Sequence, residues 1–115
     1  MDNSVHIATE VSGSTGVVRL DGWIDAGVEE SLLTAYRELV HRGTTRLLLR
    51  FASKCSINSA GIAVMITMVS QSRKNNTPVG VFGLSDHYRK IFEMIGLSDY
   101  VEILLDEDAV KRFTG

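Results

Sequence analysis

The chain has little of several features that mark particular classes of protein. Its 115 residues include one cysteine, Cys55, which excludes an internal disulfide and a metal site built from paired cysteines. The longest stretch without a charged residue, 55–72, is interrupted by serine, asparagine, glycine and threonine, so we expect no membrane span. No basic stretch followed by an apolar one opens the chain, and we therefore predict no signal peptide and a cytoplasmic location.

The chain also lacks recognisable motifs for catalysis or for binding metals, nucleotides or nucleic acids. Lysine and arginine total 12 against 14 acidic residues, so no basic excess suggests a nucleic-acid or membrane partner. His6, His41 and His87 lack the spacing of a metal site, and no nucleophile elbow, phosphate-binding loop or dinucleotide fingerprint is present. We therefore predict a protein without catalytic residues, metal or cofactor, which is not an enzyme.

What is present is the composition of an ordinary globular protein, with 44% apolar and 23% charged residues. The length suits one domain over residues 1–115. Apolar periodicity predicts the order β-β-α-β-α-β-α-β-α, in which strands alternate with helices as in an α/β protein with a mostly parallel sheet. The predicted strands are 4–11, 17–20, 47–49, 79–82 and 100–104, and helices are predicted to begin near Asp25, Ser59, Ser85 and Asp106.

The segment Ser56-Ile-Asn-Ser-Ala-Gly61 follows a buried strand and opens a helix. One interpretation is structural: Asn58 or Ser59 is an N-cap, and Gly61 lets the helix approach the sheet closely. The other is that Ser59 is displayed as a switch, where an added phosphate would meet free backbone N–H groups. Cys55 lies just before this helix, either as a stabilised thiolate or as an ordinary half-buried side chain.

The helix after Ser59 is apolar around most of its circumference. A stripe of Ile62, Met65, Ile66 and Val69 is predicted to face the core. Val64 and Met68 then fall on another side of the helix, where they either form a patch for a partner or are buried under the final helix. Both alternatives are compatible with the pattern.

Five stretches of the chain together resemble the STAS domain family, and within it the anti-sigma factor antagonists. The resemblance runs from about residue 5 to residue 113, and the motifs occur in the family's order. They are Leu20-Asp-Gly-Trp-Ile-Asp25, similar to L-x-G-x-L-D; Leu47-Leu-Leu-Arg50, similar to a strand ending in Asp; Asn58-Ser-Ala-Gly-Ile62, similar to D-S-S/T-G-L; Gly83-Leu-Ser85; and Ile91-Phe-Glu-Met-Ile-Gly-Leu97, similar to V-L-E-L-T-G-L.

This resemblance implies an α/β STAS fold, with a small, mostly parallel sheet of about five strands and four helices. It also implies a non-enzymatic partner switch in transcription regulation. The unphosphorylated protein would bind an anti-sigma factor that is also a serine kinase, phosphorylation of Ser59 would break the complex, and a phosphatase would restore it. We expect a monomer or weak dimer. The predicted partner-binding residues are Asp25, Asn58, Ser59, Ala60, Val64 and Met68.

The chain departs from the family pattern at two acidic positions. Arg50 replaces the Asp that ends the strand, and Asn58 replaces the Asp before the serine. Arg50 and Lys54 are therefore candidates for contacting an anion, such as a phosphate on Ser59. Alternatively, Arg50 extends into solvent or pairs with Asp21 or Asp25. Two other functions stay open: a constitutive STAS interaction module that is never phosphorylated, and an anion-sensing module.

Overall fold

A computed structural model describes residues 5–115. The predicted order of elements is confirmed, with short additional strands and two 3-10 turns, at 26–28 and 97–99. The strands are β1 (His6–Ser12), β2 (Thr15–Asp21), β3 (Trp23–Ile24), β4 (Arg46–Phe51), β5 (Ser56–Ile57), β6 (Val79–Phe82) and β7 (Glu102–Leu104). The helices are α1 (Glu29–His41), α2 (Ser59–Lys74), α3 (Asp86–Met94) and α4 (Glu107–Thr114).

Five strands form the main sheet in the order β1-β2-β4-β6-β7. The hairpin of β1 and β2 is antiparallel, whereas the pairs β2–β4, β4–β6 and β6–β7 are parallel. The mostly parallel five-stranded sheet and the four helices confirm the predicted architecture. The short strands β3 and β5 form a separate parallel pair, in which Trp23 is in register with Ser56 and Ile24 with Ile57. Their two-residue lengths left no periodicity in the sequence from which to predict them.

The two faces of the main sheet are covered very differently. Alternate residues of β4, Leu47, Leu49 and Phe51, belong to a large core shared with α1, α2 and α3. Leu48 points the other way, into a small cluster formed with Val110 and Phe113 of α4. Since side chains alternate along a strand, neighbouring residues of β4 serve different helices. None of the helices in residues 5–115 combines the length and the apolar character needed to cross a membrane.

Candidate functional site

Ser59 is the first residue of α2, and its side chain is exposed. The helix is capped by the preceding residue: Asn58 is extended, and its side-chain oxygen accepts a hydrogen bond of 2.8 Å from the Gly61 backbone N–H. An amide side chain at this position satisfies one of the donors that every helix start leaves free. Because Asn58 fills the capping position, the Ser59 hydroxyl is displayed at the helix start without being required to form it.

Backbone hydrogen bonds connect the loop before α1 to the segment that leads into α2. Asn58 N–H donates to the Ile24 carbonyl at 3.1 Å, and Ser56 N–H donates to the Gly22 carbonyl at 3.0 Å. At Gly61 the two segments are so close that a Cβ atom would overlap the Ile24 carbonyl oxygen. Asp25, which follows Ile24, is half-buried, and its carboxylate accepts a 2.9 Å hydrogen bond from Gly27 N–H. The segments that carry Asp25 and Asn58, both predicted partner-binding residues, therefore lie side by side.

Tyr88 of α3, which is not among the predicted site residues, also supports the site. Its hydroxyl accepts a 2.9 Å hydrogen bond from Ile57 N–H, one residue before the cap of α2. The ring is half-buried beside the large core. Tyr88 and Phe92 are four residues apart on α3, a spacing typical of core-facing side chains, but the partner of the Tyr88 hydroxyl depends on β5, which the sequence did not reveal.

The exposed side of α2 carries no charged residue through most of its length. Ser59, Ala63, Ile66 and Ser70 recur at helical spacing along it, with Ala60 beside them, and all are exposed. Ile66, which is 43% exposed, is the largest of these side chains. We call these five residues the α2 outer face. The first charged residues of the helix, Arg73 and Lys74, lie in its last turn.

The prediction that Val64 and Met68 form an exposed partner patch is wrong. Their relative exposures are 5% and 0%, and both belong to the large core. The predicted core stripe is correct for Met65 and Val69, which are buried, and wrong for Ile66, which is exposed; Ile62 is half-buried against the core. Gly61 packs against the Ile24 carbonyl, so this side of α2 faces inward. Residues that follow Gly61 at spacings of three or four lie on the same side of the helix and face the core.

Arg50 lies on the opposite side of the sheet from α2. Its guanidinium group makes a bidentate ion pair with the Glu107 carboxylate, with N–O distances of 2.8 and 3.2 Å. The same group lies over the Phe82 ring, 4.9 Å from its centre. The prediction that Arg50 would contact a Ser59 phosphate is therefore wrong, and the pairing with Asp21 or Asp25 is replaced by one with Glu107. Lys54 is exposed in the loop before β5.

Sequence comparison assigns the family. The sequence model of a family described as "Mlab, STAS domain" matches residues 7–106. The chain belongs to the STAS domain family. No protein of curated function matches it in sequence.

Structural comparison finds the same fold in anti-sigma factor antagonists. One from Mycobacterium paratuberculosis has a TM-score of 0.77 at 18% identity, with 100% of this chain and 98% of that chain covered. The antagonist SpoIIAA in its unphosphorylated form gives a TM-score of 0.72 at 19% identity, covering 96% of this chain and 99% of that chain. The Bacillus cell fate determinant SpoIIAA in its phosphorylated form gives 0.67 at 20% identity, covering 93% and 98%. At these identities the likeness establishes a shared fold.

Within this STAS domain, Cys55 is held as a neutral thiol. Its Sγ donates a hydrogen bond of 3.1 Å to the Leu20 carbonyl, and the residue is half-buried. Burial is the main reason that the pKa of the thiol is raised above its ordinary value, and the nearby Asp21 carboxylate raises it further. Of the two interpretations of Cys55, the geometry supports an ordinary side chain of the loop, because a stabilised thiolate requires a lowered pKa.

Proposed function

We propose that this STAS domain is a non-enzymatic partner switch of the anti-sigma factor antagonist type. The α2 outer face binds an anti-sigma factor that is also a serine kinase, and phosphorylation of Ser59 releases it. The observation that carries this proposal is the position of Ser59, exposed at one end of an uncharged helix face. The structural likeness to antagonists in both phosphorylation states supports it.

The uncharged surface explains how one phosphate would act as a switch. Phosphoserine carries about −1.5 to −2 charges at neutral pH. Placed in an interface with Ala60, Ala63 and Ile66, this charge would lose its hydration without meeting a compensating cation on this helix face. Asp25, which is fastened beside the helix start, would add repulsion of like charge.

Release in this scheme leaves the fold intact. The backbone N–H groups of Ser59 and Ala60 lie in the first turn of α2, where an anion is favourable. A phosphate there is therefore compatible with the helix while being incompatible with the docked partner. Lys54 is the remaining candidate for contacting this phosphate, now that Arg50 is paired on the other side of the sheet.

Trp23 extends the proposed contact surface beyond α2. The indole is 42% exposed on β3, whose partner strand β5 leads directly into the helix. Large aromatic side chains at the centre of an interface often contribute a disproportionate share of the binding energy. We expect Trp23→Ala to weaken the complex with the kinase by about tenfold or more, which corresponds to about 1.4 kcal/mol.

The direct test uses variants of Ser59 and the anti-sigma factor kinases of the source organism as binding partners. Ser59→Asp should weaken binding at least about tenfold, because it buries an unpaired charge, and Ser59→Ala should bind like wild type. Ser14→Asp, which places the same charge at an exposed position of the turn between β1 and β2, is the matched control. Equal affinities for the Ser59→Asp, Ser59→Ala and wild-type proteins would overturn the proposal.

A constitutive interaction module is the second candidate function. One observation favours it: Asn58 occupies the place of the family's acidic residue before the serine, and an amide cannot accept a proton. In that case the same helix face binds a partner permanently. Incubation with kinase and ATP, followed by mass spectrometry of the 56–61 segment, separates the two functions. Phosphate on Ser59 supports the switch, and its absence with every tested kinase supports the constitutive module.

A further inference from the structure

A groove of about 550 Å³ runs between β1 and α1, away from the α2 outer face. Its floor is formed by Val5, Ile7 and Thr9, every second residue along the β1 side. Its wall is formed by a stripe of α1 that includes Glu30, Thr34 and Glu38. Val5 and Ile7 pack against the large core but are only half-buried, so part of each side chain is exposed in the groove. The groove therefore has a mostly apolar floor and an acidic wall.

The strand beside this groove is an open edge of the main sheet. Within the described residues, β1 pairs only with β2, so its other side presents backbone N–H and C=O groups that no strand occupies. Natural edge strands are usually shortened or protected by charges, prolines or bulges. β1 is seven residues long and contains one charged residue, Glu10, which is paired with Arg19 of β2. The edge is thus available for pairing with another strand.

The spacing of the acidic wall matches that of an added strand. Glu30 and Glu38 are eight residues apart on α1, which corresponds to about 12 Å along a helix. In an extended chain, residues i and i+4 point to the same face and are separated by about 13 Å. Among the described residues that line the groove none is basic, so its two carboxylates have no cation on the wall. A basic segment in an extended conformation would match both the charge of the wall and the spacing of its carboxylates.

We infer that the groove is a docking site for an extended, basic segment of a partner protein. The segment adds to the sheet as a strand beside β1, with Lys or Arg side chains at positions i and i+4 facing Glu30 and Glu38. A small apolar side chain at i+2 lies over the floor near Ile7. This mode of recognition combines backbone hydrogen bonds, which give affinity, with alternate side chains, which give specificity.

Charge distinguishes this occupant from a second copy of the chain. Pairing of two β1 strands across a twofold axis would place both α1 helices on the same face of the joined sheet, with the acidic walls flanking the junction. Like charges brought together in this way oppose association. A basic strand would neutralise the same carboxylates. The inferred site is also independent of Ser59 and of the proposed partner switch.

A labelled peptide with the sequence Thr-Arg-Thr-Val-Thr-Arg-Thr, blocked at both ends, is a suitable probe. Binding measured by fluorescence anisotropy at low salt should weaken as salt is added, and amide chemical-shift changes should be confined to β1 and α1. A peptide of the same composition with adjacent arginines should bind about threefold to tenfold more weakly, because it engages one carboxylate instead of two. Equal binding of both peptides would overturn the spacing argument.

The protein variants test the carboxylates. Glu30→Lys combined with Glu38→Lys should reduce the affinity about tenfold or more. Glu29→Lys combined with Glu93→Lys changes the net charge equally at exposed positions outside the groove and should retain most of the affinity. Circular dichroism verifies that both double variants fold. If the two double variants lose affinity equally, the peptide is attracted by net charge alone and the inference fails.

Two isomeric peptides test strand addition itself. Amides of alternate residues in a strand point to the same side, so methylating one alternate set of amides removes the hydrogen bonds to β1 and methylating the other set does not. One isomer should lose binding while the other retains it. Equal behaviour would mean that side chains alone hold the peptide, which overturns strand addition. Dimerisation of the free protein with shift changes at β1, seen on concentration, would assign the edge to a second copy instead.

Discussion

The two faces of the main sheet show how unequal the parts of a small domain can be. One face carries α1, α2 and α3 over a continuous apolar core that includes Leu32 and Met65. The other carries α4 alone, over a cluster centred on Leu48 and Phe113. Arginines of β4 supplement this second face: Arg46 lies over the Phe113 ring, 4.4 Å from its centre, and Arg50 pairs with Glu107.

This difference determines where a substitution should affect stability and where it should affect partner binding. The switch candidate Ser59 and the exposed α2 face belong to the layer with the large core, where a side chain at Gly61 would overlap the Ile24 carbonyl. The helix on the other face is short, and polar contacts supplement its small apolar cluster. On the α2 side we therefore expect two classes of substitution: strongly destabilising ones at buried positions and nearly neutral ones at exposed positions. On the α4 side we expect graded effects on stability.

The largest effect should come from a charge introduced under α2. Met68 is fully buried, so Met68→Lys must bury an unpaired ammonium group and should destabilise the fold by more than about 4 kcal/mol. Ile66→Lys, two positions earlier on the exposed side, should change stability by less than about 0.5 kcal/mol. Chemical denaturation of both variants measures the contrast.

Ile66 also tests the proposed partner surface. Ile66→Lys should fold and lose partner binding, because a charge replaces an apolar contact in the docking face. Val40→Lys is the matched control, since Val40 is a β-branched residue on the surface of α1 with nearly the same exposure, 44% against 43%. If Ile66→Lys binds the partner as tightly as Val40→Lys does, the α2 outer face is not the contact surface.

The second-largest effect concerns the small cluster. Phe113 is 3% exposed and packs against Gly80, so Phe113→Ala should cost about 3 kcal/mol through lost burial and the cavity left behind. The substitution should also release the Arg46 guanidinium from its aromatic partner. Thermal and denaturant unfolding give the loss of stability. Binding at the α2 outer face should be unchanged at temperatures where the variant is folded, and a parallel loss of binding would show that the two faces are coupled.

Much of the fold was accessible from the sequence because its signals were local. The strand β1 alternates in polarity, and three helices have capping residues at their starts: Asn58, Ser85 and Asp106 each accept a backbone N–H hydrogen bond. The unbroken apolar run in β4 indicated a strand covered on both faces. Each of these features depends on residues within a few positions of one another.

The orientation of α2 was harder to predict because its sequence contains few polar residues to mark the outer side. Polarity itself was misleading: Ser72 is fully buried and donates a 2.9 Å hydrogen bond to the Met68 carbonyl. The usable signal was Gly61. A glycine inside a helix often marks close contact, and counting by helical spacing from Gly61 reaches Val64, Met65, Met68, Val69 and Ser72, which are the other buried residues of the helix.

The partner of Arg50 could not be predicted, because Glu107 is 57 residues away. Three consecutive leucines precede Arg50, so apolar pattern did not reveal which of them faced which helices. Both the side of the sheet and the partner were decided by where the last helix packs. The residues around Ser59, in contrast, are close in sequence to their capping partners, which is why that part of the site was predictable.

A smaller effect is expected at the cap of α2. Asn58→Ala should destabilise the fold by about 1 kcal/mol, because the Gly61 N–H loses its side-chain acceptor. Asn58→Asp retains an acceptor next to the positive end of the helix and should be about as stable as wild type. It also restores the acidic residue of the family pattern. If the switch operates, kinase assays should show faster phosphorylation of Ser59 in Asn58→Asp than in Asn58→Ala; equal rates would show that an acidic residue at this position does not assist phosphate transfer.

The smallest effect should come from the ion pair that joins β4 to α4. The hydrogen bond from Arg50 is the main reason that the pKa of Glu107 is lowered from its ordinary value, and the charges of Arg50, Arg19 and Lys111 add to it. A carboxyl group with a lower pKa in the folded state stabilises the fold when it is ionised. This contribution is therefore fully present above the ordinary glutamate pKa of about 4.3 and is lost as the pH falls through the lower folded pKa. Since the Glu107 side chain is 59% exposed, solvent screens the pair and the effect on stability should be slight. Melting temperatures of wild type and Glu107→Gln should differ slightly at pH 7 and converge in strong acid, whereas a constant difference across this range would mean that Glu107 acts through packing and not through its charge.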